Sequence, residues 1–560
     1  MKGIVALLVF LSLFYICDSY KILLFNPKFG KSHVTFAGKI ADTLAAAGHE
    51  VVVYQPVFDD RITITGSKNK AIRYYTMPKN PNFMPDFANQ SMSANMWADK
   101  SFSDFLKMRS VIAMNDNENL EKLKAENFDL GITELFHACG LGIFHKIGIK
   151  KHITTIGSSL YPTTASLLGI KFHPSYLPGL LLGGNTDKMG FFGRVLNFIN
   201  TFLEDLIVTS MFSGNFEEPI KKQFPDFKMN DAIADSAFIF VNSDEHVDYA
   251  QPITHKIIYI AGLGEVQAQP LEKQYTDIFD SAKKGVILFS FGSNVQSADM
   301  PEHLKKAFLE AFAEFPEINF LWKYEKDEDE IAKGYKNVFT GKWLPQNDIL
   351  DHPKLLAFIT HGGMNSVMEG STKGIPMICI PMFGDQNRNA LLLESKGTGI
   401  VLNKSGITKE KVVSTIKEII NNENYRKNAQ KLSKMVKANP FSSAEKLVKY
   451  SEFAAQFGDT GTLQTQGRYQ SFMVLYSLDV IGFLFTVIAV ILFVLIWVIK
   501  RNFGINIPKI PGNQTHFRQK WGSPRIPMQN CLHFYDFYFC IFSILELFCL
   551  GTFKKKQKEW

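Results

Sequence analysis

The sequence predicts an α/β protein with two doubly wound, Rossmann-like domains followed by a C-terminal transmembrane helix. Three observations predict it. Short apolar runs alternate with helical patterns near the start: residues 20–26, a helix pattern over 33–47, then 50–54. A second series opens at 285–291 and continues through 318–323, 355–360 and 376–380. Residues 480–499 are uncharged and apolar over roughly the length that crosses a bilayer as a helix.

Each element has its local reason. Lys2 ahead of an apolar run over 4–16, with small residues near Cys17-Asp18-Ser19, reads residues 1–19 as a signal peptide, too short to span. Ser32 is the expected cap of the first helix and Gly48 its stop, which makes residues 20–54 a βαβ unit. Further strands are expected at 129–133, 152–156 and 238–241. A polar, turn-rich stretch over 262–281 separates a first domain (20–265) from a second (266–455). Phe192, Val195, Leu196, Ile199, Phe202, Leu203 and Leu206 recur at helical spacing opposite Arg194, Asn200 and Glu204. Core packing is the leading account of that stripe; a lipophilic pocket or a membrane-touching surface are the others. Residues 456–479 are membrane-proximal and 480–499 form the span. Lys500-Arg501 then mark the cytosolic side, which leaves the tail, 500–560, in the cytosol. Within the tail, 534–553 is apolar but broken by Asp536 and Glu546.

A chain of 560 residues exceeds what one core supports. The formal charge of +7 is spread out, with no basic stripe among exposed aromatics, so nucleic acid is not an expected partner. Six cysteines, only Cys139 and Cys379 of them in the body, make no disulfide framework. With a lumenal body, Asn89 and Asn403 head glycosylation sequons.

The chemistry concentrates where the run 355–359 meets Thr360-His361-Gly362-Gly363-Met364-Asn365-Ser366. A buried strand running through a glycine turn into a helix presents free N–H groups and a partial positive end, which attract phosphate. His361, Asn365 and Glu369 are spaced four apart and are expected on one helix face, with a carboxylate two turns along for ribose hydroxyls. Asp385-Gln386 follow beyond Pro376 and Pro381.

Residues 358–386, with Trp343-Leu344-Pro345-Gln346 upstream, resemble the signature of UDP-glycosyltransferases, specifically the animal UDP-glucuronosyltransferase type; the resemblance runs from Tyr20 to about Gly504. It implies the GT-B arrangement, two domains facing a cleft. It also implies a UDP-sugar donor, glucuronate favoured with glucose as the alternative, and a small lipophilic acceptor hydroxyl. Transfer with inversion is implied too, with no cofactor or metal, by a single-pass endoplasmic reticulum protein whose body is lumenal, in contact with membrane lipid; a homo-oligomer is allowed. On this reading Ser293, His361, Gly363, Asn365 and Ser366 serve the diphosphate, Trp343 stacks on uracil, and Gln346 bonds its edge. Glu369 meets the ribose, and Asp385 and Gln386 meet the sugar. Packing for Trp343 and helix capping for Asp385-Gln386 are the structural alternatives. Asp327-Glu328-Asp329 lies in a charged run and reads as a solvated loop, not a metal site.

For the base, His33 at the start of the first helix titrates near neutrality without help. Lys31-Ser32-His33 falls where the resembled enzymes carry their catalytic histidine. Their aspartate partner is replaced by Glu134, one methylene longer; Asp129 precedes the strand and should face its far end. A His–carboxylate pair is therefore expected to deprotonate the acceptor. The other class of reading is a UDP-sugar-binding regulatory protein without catalysis.

Overall fold

The computed structural model describes residues 19–79, 92–98, 110–181, 184–263 and 268–503. All but the last residue of the expected signal peptide, Asn89 and the tail beyond residue 503 lie outside the described residues.

The first sheet contains β1 (Lys21–Phe25), β2 (Glu50–Tyr54), β3 (Arg73–Tyr75), β4 (Leu130–Glu134), β5 (His152–Ile156), β6 (Ile239–Val241) and β7 (Ile257–Tyr259). It is parallel throughout, in the order β3-β2-β1-β4-β5-β6-β7. The second contains β8 (Gly285–Ser290), β9 (Ile318–Lys323), β10 (Val338–Gly341), β11 (Leu355–Thr360), β12 (Met377–Cys379) and β13 (Gly399–Val401). Its order is β10-β9-β8-β11-β12-β13, again parallel. Strands buried on both faces explain the continuous apolar runs. Leu23 and Phe25 pack into one core, while Ile22 and Leu24 pack into the other. In both sheets the strand order reverses beside the first strand, between β1 and β4 and between β8 and β11. A crevice opens there beyond the carboxyl ends of the strands.

The helices used below are α1 (Lys31–Ala46), α2 (Cys139–Ile147), α3 (Phe191–Met211), α4 (Met364–Lys373), α5 (Gln386–Ser395), α6 (Ser443–Phe457) and α7 (Leu478–Phe503). On α1, Phe36, Ile40 and Leu44 cover one face of the first sheet, and on α2, Leu141 and Phe144 cover the other. The expected Ser32 cap is corrected: Gly30 precedes α1 and no side chain caps it, because Ser32 already lies inside the helix. The expected boundary stretch is also partly helical, over Lys273–Ser281.

Two exchanges tie the halves together. Met96 and Trp97 insert into a core of the second sheet, and Trp97 Nε1 donates to the Gln296 carbonyl at 2.9 Å. Leu447, Ala454 and Ala455 of α6 return to the core of the first sheet. The core reading of the α3 stripe is overturned. Phe192 is 82% exposed and Phe202 66%, while Asn197 and Glu204 are 0% and 2% exposed. The helix turns its polar side inward. As a separate unit, α7 is a helix long and apolar enough to cross a membrane.

Candidate functional site

Each crevice collects chemistry because loops leave the sheet there. In the first half, β1 turns through Gly30 into α1, which carries His33 on its first turn, and Glu134 is the last residue of β4. His33 Nδ1 lies 2.7 Å from Glu134 Oε1. The same oxygen accepts the Gly157 N–H at 3.1 Å. Gly157 has to lack a side chain here, since a Cβ would fall 2.3 Å from Glu134 Oε1 and 3.3 Å from His33 Nδ1. The longer carboxylate fits because of that glycine. Phe136 stacks on the His33 ring at 5.0 Å and 11°.

Burial alone pulls the His33 pKa down, but the charge and hydrogen bond of Glu134, with Asp385 beyond, outweigh it and hold the pKa above the ordinary imidazole value. Burial likewise opposes charge on Glu134, yet His33, His137 and the Gly157 N–H hold its carboxyl below the usual range. His137 is a residue that spacing did not reveal. It is buried, and neither ring nitrogen has a hydrogen-bond partner among the described residues. Burial, against the pull of Glu134, drives its pKa down to about 3, so it is neutral. Asp129 sits at the opposite end of the sheet, as expected, accepting the Lys21 N–H at 2.8 Å.

In the second half, β11 ends in Thr360, and Gly362, at φ 81°, turns the chain toward α4. His361 therefore precedes the helix, and the expectation that it shares a face with Asn365 and Glu369 is corrected. Two glycines intervene before α4 begins. Gly292 and Gly363 pack against its ring so closely that a Cβ on either would come within 2.7 Å and 2.5 Å of it. Burial, reinforced by Lys323, lowers the His361 pKa to about 4, so the ring is a neutral donor or acceptor and no cation. Ser293 follows Gly292 and is partly exposed; Ser366 is buried in the first turn of α4.

Asn365 and Glu369 do share a face of α4. With Thr35 and Lys39 of α1, Asn242 and Asn347 they line a cavity of about 60 Å³. Asn242 Nδ2 donates to Asn365 Oδ1 at 2.7 Å, from one half to the other. Gln346 donates to Glu369 Oε2 at 2.5 Å. Trp343 is not in a buried loop: it is 59% exposed, and Lys31 Nζ stands 3.6 Å from its ring centroid. The last predicted pair divides. Asp385 stands at the N-cap position of α5 but its side chain makes no capping bond there; it reaches the first half, where Ser158 Oγ donates to it. Gln386 is buried and its amide oxygen accepts the Met382 and Phe383 N–H groups at 2.8 and 3.2 Å, which ties the loop ahead of α5 to the start of that helix. Arg388 and Asp248, both almost fully buried, pair across the halves at 2.8 Å.

Asp327–Asp329 form an exposed single turn, in which Asp327 pairs with Lys342 at 3.3 Å and Asp329 accepts the Tyr324 hydroxyl. Asn403 is exposed. The residues that sequence patterns could not flag are Lys39, Gly157, Ser158 and Asn242. They lie in different segments and meet only through the fold.

A family model described as "UDP-glucoronosyl and UDP-glucosyl transferase" matches residues 21–508. Among similar proteins is ugt-48 of Caenorhabditis elegans, 31% identical over 527 residues, covering 90% of this chain and 97% of that protein. UDP-glucuronosyltransferase 3A1 of Bos taurus is 29% identical over 477 residues, covering 82% and 89%. Among solved structures, UGT2 of Phytolacca americana, crystallised with UDP-2-fluoro-glucose and pterostilbene, superposes with a TM-score of 0.54. The superposition covers 78% of this chain and all of that one, at 15% identity, and shows the shared GT-B fold.

Proposed function

This chain belongs to the UDP-glucuronosyl and UDP-glucosyl transferase family, and from that premise we propose how this UDP-glycosyltransferase works. It moves a hexosyl group, glucuronosyl by preference, from a UDP-sugar to a hydroxyl of a small lipophilic acceptor, without a metal and with inversion. What carries the reading is the 2.7 Å contact between His33 Nδ1 and Glu134, at the point where both strand orders reverse. With Nδ1–H donated to Glu134, His33 Nε2 holds a lone pair. It takes the acceptor proton while the acceptor oxygen bonds the anomeric carbon and the bond to the diphosphate breaks. Glu134 steadies the imidazolium that forms. Donor binding falls to the α4 start, Ser293, Trp343, Asn365, Glu369 and Asp385. Lysine 39 is the one cation lining the described cavity.

The first half (20–265) would bind the acceptor and the second (266–455) the donor. The α7 helix would anchor the protein in the endoplasmic reticulum membrane, its body lumenal and Lys500-Arg501 on the cytosolic side. The family description names glucosyl as well as glucuronosyl transfer. Competition between UDP-glucuronate and UDP-glucose decides the donor. The test of the base is His33→Ala with a panel of phenols and sterols: turnover should fall at least about 10³-fold with UDP affinity intact. Retained turnover refutes the assignment.

A further inference from the structure

We propose that the outward face of α3 lies in the surface layer of a lipid bilayer, a second membrane contact beside α7; this rests on the reading of α7 as a span. In a water-facing helix the apolar stripe turns toward the core. Here the reverse holds: Phe192, Leu196, Phe198, Phe202 and Leu206 are all more than half exposed. The inward side is fixed by hydrogen bonds and not by apolar packing. Asn197 accepts the Gly179 N–H at 3.2 Å and donates to the Pro174 and Leu177 carbonyls, both at 2.8 Å. Glu204 accepts the Leu180 and Leu181 N–H groups at 3.1 and 3.0 Å. A helix held by its polar residues cannot roll its apolar face inward without leaving Asn197 and Glu204 unpaired. An apolar patch of this kind marks a surface that is covered by something.

The occupant follows from where the chain goes. The loop that holds α3, residues 174–181, continues from Phe172, and Tyr476 clasps Phe172: the Phe172 N–H donates to Tyr476 Oη at 3.2 Å, and that hydroxyl lies 3.4 Å from the Phe172 carbonyl. Thr465 adds a bond to the Leu168 carbonyl at 2.7 Å. Two residues after Tyr476 the membrane-crossing helix begins, at most about 7 Å of chain away. Between Thr465 and that point Phe472 and Met473 are themselves exposed. A bilayer is thus brought to the loop that carries α3, and only Arg194 and Asp205 interrupt the exposed side between Phe191 and Leu206. A helix lying in the interface buries its apolar face about 5–10 Å into the headgroup boundary.

The test reconstitutes the full chain into phosphatidylcholine vesicles containing a phosphatidylcholine whose acyl chain carries a photoactivatable diazirine, followed by peptide mapping. An acyl chain tethered to a headgroup cannot leave the bilayer for a small pocket. Adducts on 191–206 as well as on 478–502 support the proposal. In Phe192→Ser/Phe202→Ser, which alters exposed positions only, adducts on α3 should fall at least about tenfold with α7 labelling unchanged. Adducts on α7 alone overturn the proposal and leave the anchor standing, whereas adducts on neither overturn both. Labelling confined to α7, with amide exchange over 191–206 slowing as protein density in the bilayer rises, assigns the face to a second copy and also overturns it.

Discussion

Gly157→Ala isolates the geometry of the His33–Glu134 pair without touching either residue. The added Cβ would sit 2.3 Å from Glu134 Oε1. Restoring ordinary contact moves that oxygen back by about 1 Å, and the hydrogen bond to His33 then exceeds the ~3.2 Å limit. A hydrogen bond to a charged group contributes about 1.5–3 kcal/mol, so kcat should fall about 10- to 150-fold. The assay is UDP release at saturating donor with a reactive phenol, beside a KM for the UDP-sugar that stays within about twofold, since no donor contact changes. Adding Glu134→Asp shortens the carboxylate by one methylene and makes room for the Cβ. The double variant should therefore exceed Gly157→Ala by about tenfold, a coupling expected only of residues in contact. A single variant that keeps kcat within about threefold, or a double variant no better than the single, refutes the reasoning.

His33 acts when neutral, and Glu134 and Asp385 hold its proton more tightly than usual despite burial. So kcat/KM should rise with pH about a midpoint above the ordinary ~6.5, and Glu134→Gln should move that midpoint down; a pH–rate profile with the limb at or below 6.5 contradicts this. Glu369→Ala removes a carboxylate from the cavity that α1 and α4 share and should raise the KM for UDP-sugar about tenfold with little change in kcat, read by initial rates at varied donor. Arg388→Ala leaves Asp248 charged and buried, so urea unfolding should show a loss of about 3–5 kcal/mol; a loss below 1 kcal/mol would mean that solvent reaches the pair.

The interior strands were legible because burial on both faces leaves an unbroken apolar run, as in residues 50–54, 318–323 and 355–360. The missed strands β3, β7, β10 and β13 are the edges of the two sheets. Each is three or four residues long, too short to leave a pattern. In the site, Glu134 was found through the family resemblance, one residue past the strand expected at 129–133, and Asn365 and Glu369 were readable as one helix face. Spacing misled at His361, where the identity of residues four apart ignored the two glycines that delay the helix.

By itself the sequence determined the parallel α/β layering, the glycine-turned phosphate-type helix start and the apolar terminal helix, because each is written as a local period or run. Only the tertiary structure decided which way α3 faces, since the amphipathic period is the same whether the apolar side points in or out. It also decided that Gly157 makes room for a longer carboxylate and that Asp385 reaches Ser158. Those contacts join residues far apart in the chain, and nothing in their spacing encodes the distance between them in space.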